Sequence, residues 1–142
     1  MPYLYFICSF FIAAYSGHSH GKEYGNVANV LLVSVYDGDT FRANIVGWPQ
    51  IIGENTPIRI KGVDTPELRG KCPQEKHLAK KAKLFSQQQL EQAQRIELRN
   101  IGRGKYFRLL ADVYVDGNNL ALLLTKAGYG YTYQGGKRRS WC

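Results

Sequence analysis

The run from Asp37 to Glu67, DGDTFRANIVGWPQIIGENTPIRIKGVDTPE, holds two acidic knots. The first is Asp37-Gly38-Asp39-Thr40 and the second is Asp64-Thr65-Pro66-Glu67. Between them, Ile58-Arg59-Ile60-Lys61-Gly62-Val63 carries apolar residues alternating with Arg59, the pattern of a half-buried strand. Each knot is predicted at a strand end, where a scaffold holds loop residues in place. Folded together, the knots would offer two or three carboxylates to a hard cation, with an arginine alongside. A divalent ion held by carboxylates and carbonyls, next to a fixed guanidinium, suits phosphoryl chemistry.

Working outward, residues 27–36 (VANVLLVSVY) form a β-branched run that predicts the first strand. Phe41, Ala43 and Ile45 alternate with Arg42 and Asn44 to give a second. Gly38 is expected to permit the sharp reversal that aims Asp37 and Asp39 off the strand end. Gly47 to Pro57 reads as a loop, and Ile58 to Val63 as the third strand. A helix is predicted over Gln74 to Gln94, with Leu78, Ala79, Ala82, Phe85, Leu90 and Ala93 on its core face. Lys80, Lys81 and Lys83 read as its solvated side and His77 as a surface residue. Arg95 to Arg99 predicts a fourth strand, and Tyr106 to Val115 a fifth. Asn118 or Asn119 would cap a last helix that Gly128 ends. The order predicts an α+β, mainly β fold, a five-stranded Greek-key barrel with two or three helices.

The 142 residues suit one domain with a leader, and the formal net charge of +8 with 10 tyrosines suits a polyanionic partner. Pro2 to Tyr15 is nearly all apolar, too short to span the ~30 Å hydrocarbon layer but of the length of a secretory core. Ala14-Tyr15-Ser16 offers small residues for cleavage, whereas the lack of Lys or Arg ahead of the run leaves an uncleaved anchor as the alternative. Residues 17–25 read as a loose tail, whose His18 and His20 are more simply tail than metal ligands. Without the leader, Cys72 and Cys142 remain, and an even pair in an exported chain suggests a disulfide worth roughly 2–4 kcal/mol. Tyr129, Tyr131 and Tyr133 alternate, which fits either one face of an edge strand or a stacking surface for bases.

VYDGDT (35–40), RIKGVDTPE (59–67) and KYFR (105–108), in that order and at domain-scale spacing, resemble the signature blocks of the thermonuclease family, typified by staphylococcal nuclease. The resemblance spans roughly residues 26 to 134, and it makes 26–142 a nuclease-like domain and the barrel an OB-fold. It implies a calcium ion held by Asp39, Asp64 and the Thr65 carbonyl, with manganese or magnesium as partial substitutes. Asp37 and Thr40 would be outer supports, though Asp37 reads equally as a turn residue capping its own backbone. Glu67 matches the carboxylate that activates the attacking water, and Arg59 and Arg108 match two phosphate-clamping arginines. Lys105, Tyr106, Tyr131 and Tyr133 would contact the substrate. Phe107 stands where relatives often carry glycine and is expected to stiffen that loop. The long C-terminal helix of staphylococcal relatives has no counterpart after the tyrosines, so a Cys72–Cys142 bond is expected to tether the end instead.

The resemblance implies a secreted or periplasmic, calcium-dependent endonuclease. It would cut DNA and RNA with low sequence preference, leave 3′-phosphate ends, work as a monomer and keep no stable membrane partner once the leader is removed. The competing reading is a nucleic-acid-binding module without catalysis. Such degenerate domains lose the acids and arginines, which are all present here. A basic toxin or surface-binding protein would explain the charge and export but not the acidic knots.

Overall fold

The computed structural model describes residues 22–142. The leader, His18 and His20 lie outside the described residues. Five strands make one curled sheet: β1 (Val30–Val35), β2 (Thr40–Ile45), β3 (Thr56–Ile60), β6 (Leu109–Val115) and β5 (Ile96–Arg103), side by side in that order. All pairs are antiparallel except β3–β6, which is parallel. Ahead of β1, Val27 exchanges two backbone hydrogen bonds of 2.8 Å with Leu98 of β5, and Tyr24 and Gly25 bond to Ile101. This draws the two sheet edges together as an OB-type half-barrel. It also docks Tyr24 and Gly25, which the sequence placed at the end of a loose tail.

Alternation builds the core. Phe41, Ala43 and Ile45 of β2, Ile58 and Ile60 of β3, and Ala111, Val113 and Val115 of β6 all point inward and are buried. The long helix α2 (Pro73–Gln92) starts with Pro73 at its first position, where a missing N–H costs nothing. The short α3 (Leu120–Lys126) is capped by Asn119, whose side chain accepts from the Leu122 N–H at 3.2 Å, and adds Leu120 and Leu124 to the core. A one-turn helix, α1 (Gln50–Gly53), lies within the loop predicted between β2 and β3.

Four boundaries differ from the sequence reading. The strand predicted over Ile58 to Val63 is two strands, β3 and β4 (Gly62–Asp64). Gly62, at φ 82°, turns the chain out of the main sheet, and β4 pairs instead with β8 (Tyr131–Tyr133). β5 runs to Arg103 through a bulge after Arg99 instead of stopping there. β6 begins at Leu109 because Tyr106 and Phe107 are both at φ 58°, a left-handed conformation that no strand accepts. A two-residue strand, β7 (Asn118–Asn119), precedes α3 and pairs with β6.

The buried stripe of α2 is Glu75, Ala79, Ala82, Ser86 and Leu90, with Leu78 and Phe85 only half-buried at its sides. Its two polar members each hold one acidic knot. Ser86 donates to the Gly38 carbonyl at 2.5 Å. Glu75 accepts from the Glu67 N–H at 3.3 Å and from the Lys71 N–H at 2.9 Å. Gly38 has no left-handed φ; it is glycine for want of space, since a Cβ there would lie 2.8 Å from both the Ala82 Cβ and the Thr65 Oγ1. Gly38→Ala is therefore expected to cost about 1–3 kcal/mol in urea denaturation by overpacking this junction. An unchanged midpoint would mean that the knots do not rest on α2 this closely.

Candidate active site

The two knots, the end of β3 and the Gly104–Arg108 loop enclose one cleft of about 1020 Å³. Asp39 and Asp64 lie at its base, 5% and 2% exposed. Asp39 Oδ2 accepts from the Thr65 backbone N–H at 2.9 Å, which ties the first knot to the second. Its other oxygen accepts from the Thr40 hydroxyl at 3.1 Å. Register explains how Arg59 joins them: it pairs with Thr40 across β2–β3, so its side chain emerges beside the first knot. Arg59 Nη1 contacts Asp39 Oδ2 at 2.9 Å and donates to the Val63 carbonyl at 3.0 Å; Nη2 lies 3.5 Å from Asp64 Oδ1. Thr65 is buried, and Glu67 stands at the cleft mouth with its side chain about half exposed.

Asp37 lines the same cleft, and its Oδ1 accepts from the Asp39 N–H at 3.1 Å, so it does cap its own turn. Burial, and then the charge of Asp39, push its pKa from the ordinary 3.8 up to about 7. Burial also pushes the Asp64 carboxyl up, against the pull of Arg138 and with the Asp39 charge adding to the rise. These carboxylates are crowded beyond what the neighbouring arginines offset.

The remaining expected residues divide. Lys105, Arg108 and Tyr133 line the cleft. Arg108 Nε is buried with no hydrogen-bond partner among the described residues, leaving a guanidinium available to an oxyanion. Tyr106 does not line it; at 88% exposed it points to solvent, as does Phe107 at 90%. Phe107 holds a left-handed backbone, the conformation that glycine adopts without strain. Tyr131 sits across from Asp64 in the β4–β8 pair, but its ring is stacked on Trp141 at 4.1 Å rather than open to the cleft. Tyr129 packs on Phe85 beside the core. A separate, mostly apolar hollow of about 620 Å³, lined by Trp48, Ile51, Ile52 and Phe107, holds none of the cleft's carboxylates.

Sequence reasoning missed three residues here. Glu75 and Ser86 sit in a helix stripe whose pattern was read from apolar residues alone. Arg138 lies in the tail after β8, yet it reaches the heart of the site. Its Nε contacts Asp64 Oδ1 at 2.7 Å, its Nη2 donates to the Thr65 carbonyl at 3.0 Å, and its Nη1 pairs with Glu67 Oε1. The tail's basic run, Lys137-Arg138-Arg139, was the available signal. A disulfide joins Cys72, at the start of α2, to Cys142, with Cα atoms 6.0 Å apart. Spanning 70 residues, it stabilises the fold by roughly 4 kcal/mol on chain-entropy grounds.

The donor set fits a hard divalent cation. Asp39, Asp64 and the Thr65 carbonyl are all oxygen ligands, with no cysteine or histidine among them. Asp64 Oδ2 is a buried carboxylate oxygen with no hydrogen-bond partner among the described residues, the kind of atom a cation satisfies.

Comparison with protein families matches residues 57–140 to the staphylococcal nuclease homologue model. The matched span carries the second knot, α2, the Lys105–Arg108 loop and Arg138, while the first knot is brought in by the β2–β3 pairing. A search of curated proteins finds no match.

Asp37 holds its proton more tightly folded, at about 7, than unfolded, at 3.8. Its penalty to the cation-free fold is thus absent below about 3.8, grows between there and about 7, and is complete above that. Asp37→Asn is expected to raise stability by about 1–3 kcal/mol at about pH 8 and to leave it unchanged at about pH 3, read by urea denaturation without divalent ions. An equal gain at both pH values would contradict the shift.

Proposed function

The chain belongs to the staphylococcal nuclease homologues, and from that premise we propose that it is a secreted or periplasmic, calcium-dependent endonuclease. It hydrolyses DNA and RNA with low sequence preference, leaves 3′-phosphate ends, and acts as a monomer with no stable membrane partner after its leader is removed. The observation that carries this reading is the meeting of Asp39, Asp64, Glu67, Arg59 and Arg108 in one cleft.

Each residue has a distinct task. Asp39, Asp64 and the Thr65 carbonyl hold the cation, which when bound polarises a phosphoryl oxygen and offsets its growing charge. Arg59 is fixed by Asp39 and by the Ile60 and Val63 carbonyls, so its guanidinium costs little reorganisation when phosphate arrives. Arg108 brings a second planar fork with unmet hydrogen-bonding capacity. Glu67 is the half-exposed carboxylate at the mouth and activates the attacking water; the Glu75 contact to its backbone N–H steadies it. Lys105 adds positive charge to the cleft lining. Tyr133 is the tyrosine left in the cleft for the nucleotide, since Trp141 covers Tyr131. The disulfide supports an oxidising compartment, and no helix among the described residues is long and apolar enough to cross a membrane.

One observation favours a second reading, a module that binds nucleic acid without cutting. Arg138 already spans Asp64, Thr65 and Glu67. Digestion of single-stranded DNA separates the two. Cutting in calcium that stops in EDTA is expected, with kcat falling about 10²- to 10⁴-fold in Glu67→Gln. Binding without cutting in calcium, magnesium or manganese would establish the second reading instead.

A further inference from the structure

We propose that Arg138 is a tethered internal cation that competes with the divalent ion for the acidic knots, and that the Cys72–Cys142 crosslink keeps it in place. The inference rests on the cation site argued above and concerns how that site is held in check.

The contacts are specific. Arg138 touches Asp64 Oδ1, the Thr65 carbonyl and Glu67 Oε1, which are two proposed cation ligands and the proposed water-activating carboxylate. A guanidinium bonded to those oxygens uses the lone pairs a metal needs, and its positive charge repels a second cation at contact distance. Seating of Arg138 and seating of a divalent ion are therefore antagonistic, and each must weaken the other by the same factor. By pairing with Glu67 Oε1, Arg138 also leaves that carboxylate only its other oxygen to meet an attacking water.

The segment carrying Arg138 has the anatomy of a latch. It leaves β8 through Gly135 and Gly136, at φ 97° and 86°, a backbone pair that glycine adopts freely. Among the described residues it makes no backbone–backbone hydrogen bond to the rest of the fold. Side chains anchor its far end: Trp141 is buried and stacked on Tyr131, Arg139 lies over the same ring, and Cys142 is bonded to Cys72. Cys72 is also the N-cap of α2, whose first turn supplies the Glu75 that holds the second knot. The crosslink thus fixes both the tail and the knot to one helix end, which keeps the local concentration of Arg138 at the carboxylates high. A dithiol reductant, closing to its own disulfide, would pass two electrons and two protons to the bond and leave two thiols, freeing the tail.

Calorimetric calcium binding to the full oxidised protein tests this. Arg138→Gln is expected to bind calcium about 5- to 100-fold more tightly than wild type. Lys137→Gln removes the same charge without touching the knots or the anchor of the tail and should change affinity less than about threefold. Cys72→Ser with Cys142→Ser should fall between wild type and Arg138→Gln. Equal affinity in wild type and Arg138→Gln, or weaker binding in the variant, would overturn the inference while leaving the cation site intact. Absence of calcium binding from every protein would sink the site and the inference together.

Discussion

Placing the Asp39 and Asp64 carboxylates side by side and nearly out of water costs free energy that only countercharge and hydrogen bonds can offset. The surrounding structure answers that cost. Arg59 contacts both acids, Thr40 and the Thr65 N–H donate to Asp39, and Arg138 donates to Asp64. The compensation is incomplete. Asp37 and Asp64 keep raised pKa values, and one Asp64 oxygen has no partner among the described residues. The cleft lining as a whole carries six acidic and six basic residues, so the shortfall is local to Asp37 and Asp64. A divalent ion is the simplest species that offsets it.

Holding the acids together falls to the fold rather than to the loops. The β2–β3 pairing sets Arg59 beside the first knot, and Gly62 turns β4 out of the main sheet so that the second knot meets the first. Helix α2 then braces both, through Ser86 on Gly38 and Glu75 on the loop after Asp64. A polar residue in a buried helix stripe weakens the stripe unless its group is satisfied. Here each is satisfied by backbone of the site, so some core quality is exchanged for position.

That exchange explains what the sequence could and could not disclose. The apolar alternation of β2 is a period-2 signal, and the set it picks out, Phe41, Ala43 and Ile45, is the buried one. DGDT alone is a weak signal; the knots were legible because they stand in order with the Arg59 and Lys105-to-Arg108 blocks at domain-scale spacing. Glu75 and Ser86 were not, because a periodicity built on apolar residues skips polar ones. The break at Gly62 was hidden by an unbroken Ile-Arg-Ile-Lys-Gly-Val pattern that suits one strand as well as two. Tyr106 and Phe107 read as strand by composition, but their left-handed backbone turns the loop so that Lys105 and Arg108 face the cleft while both rings face solvent. Arg138 is separated from Asp64 by 74 positions, and nothing local to it specifies that contact.

The proposed function turns on whether the two knots form a single cation site. Anomalous diffraction from crystals grown in calcium tests it most directly. One peak is expected between the Asp39 and Asp64 carboxylates and the Thr65 carbonyl, with Arg138 moved off Asp64. A peak elsewhere, or none there while Arg138 keeps its contacts at saturating calcium, would contradict it.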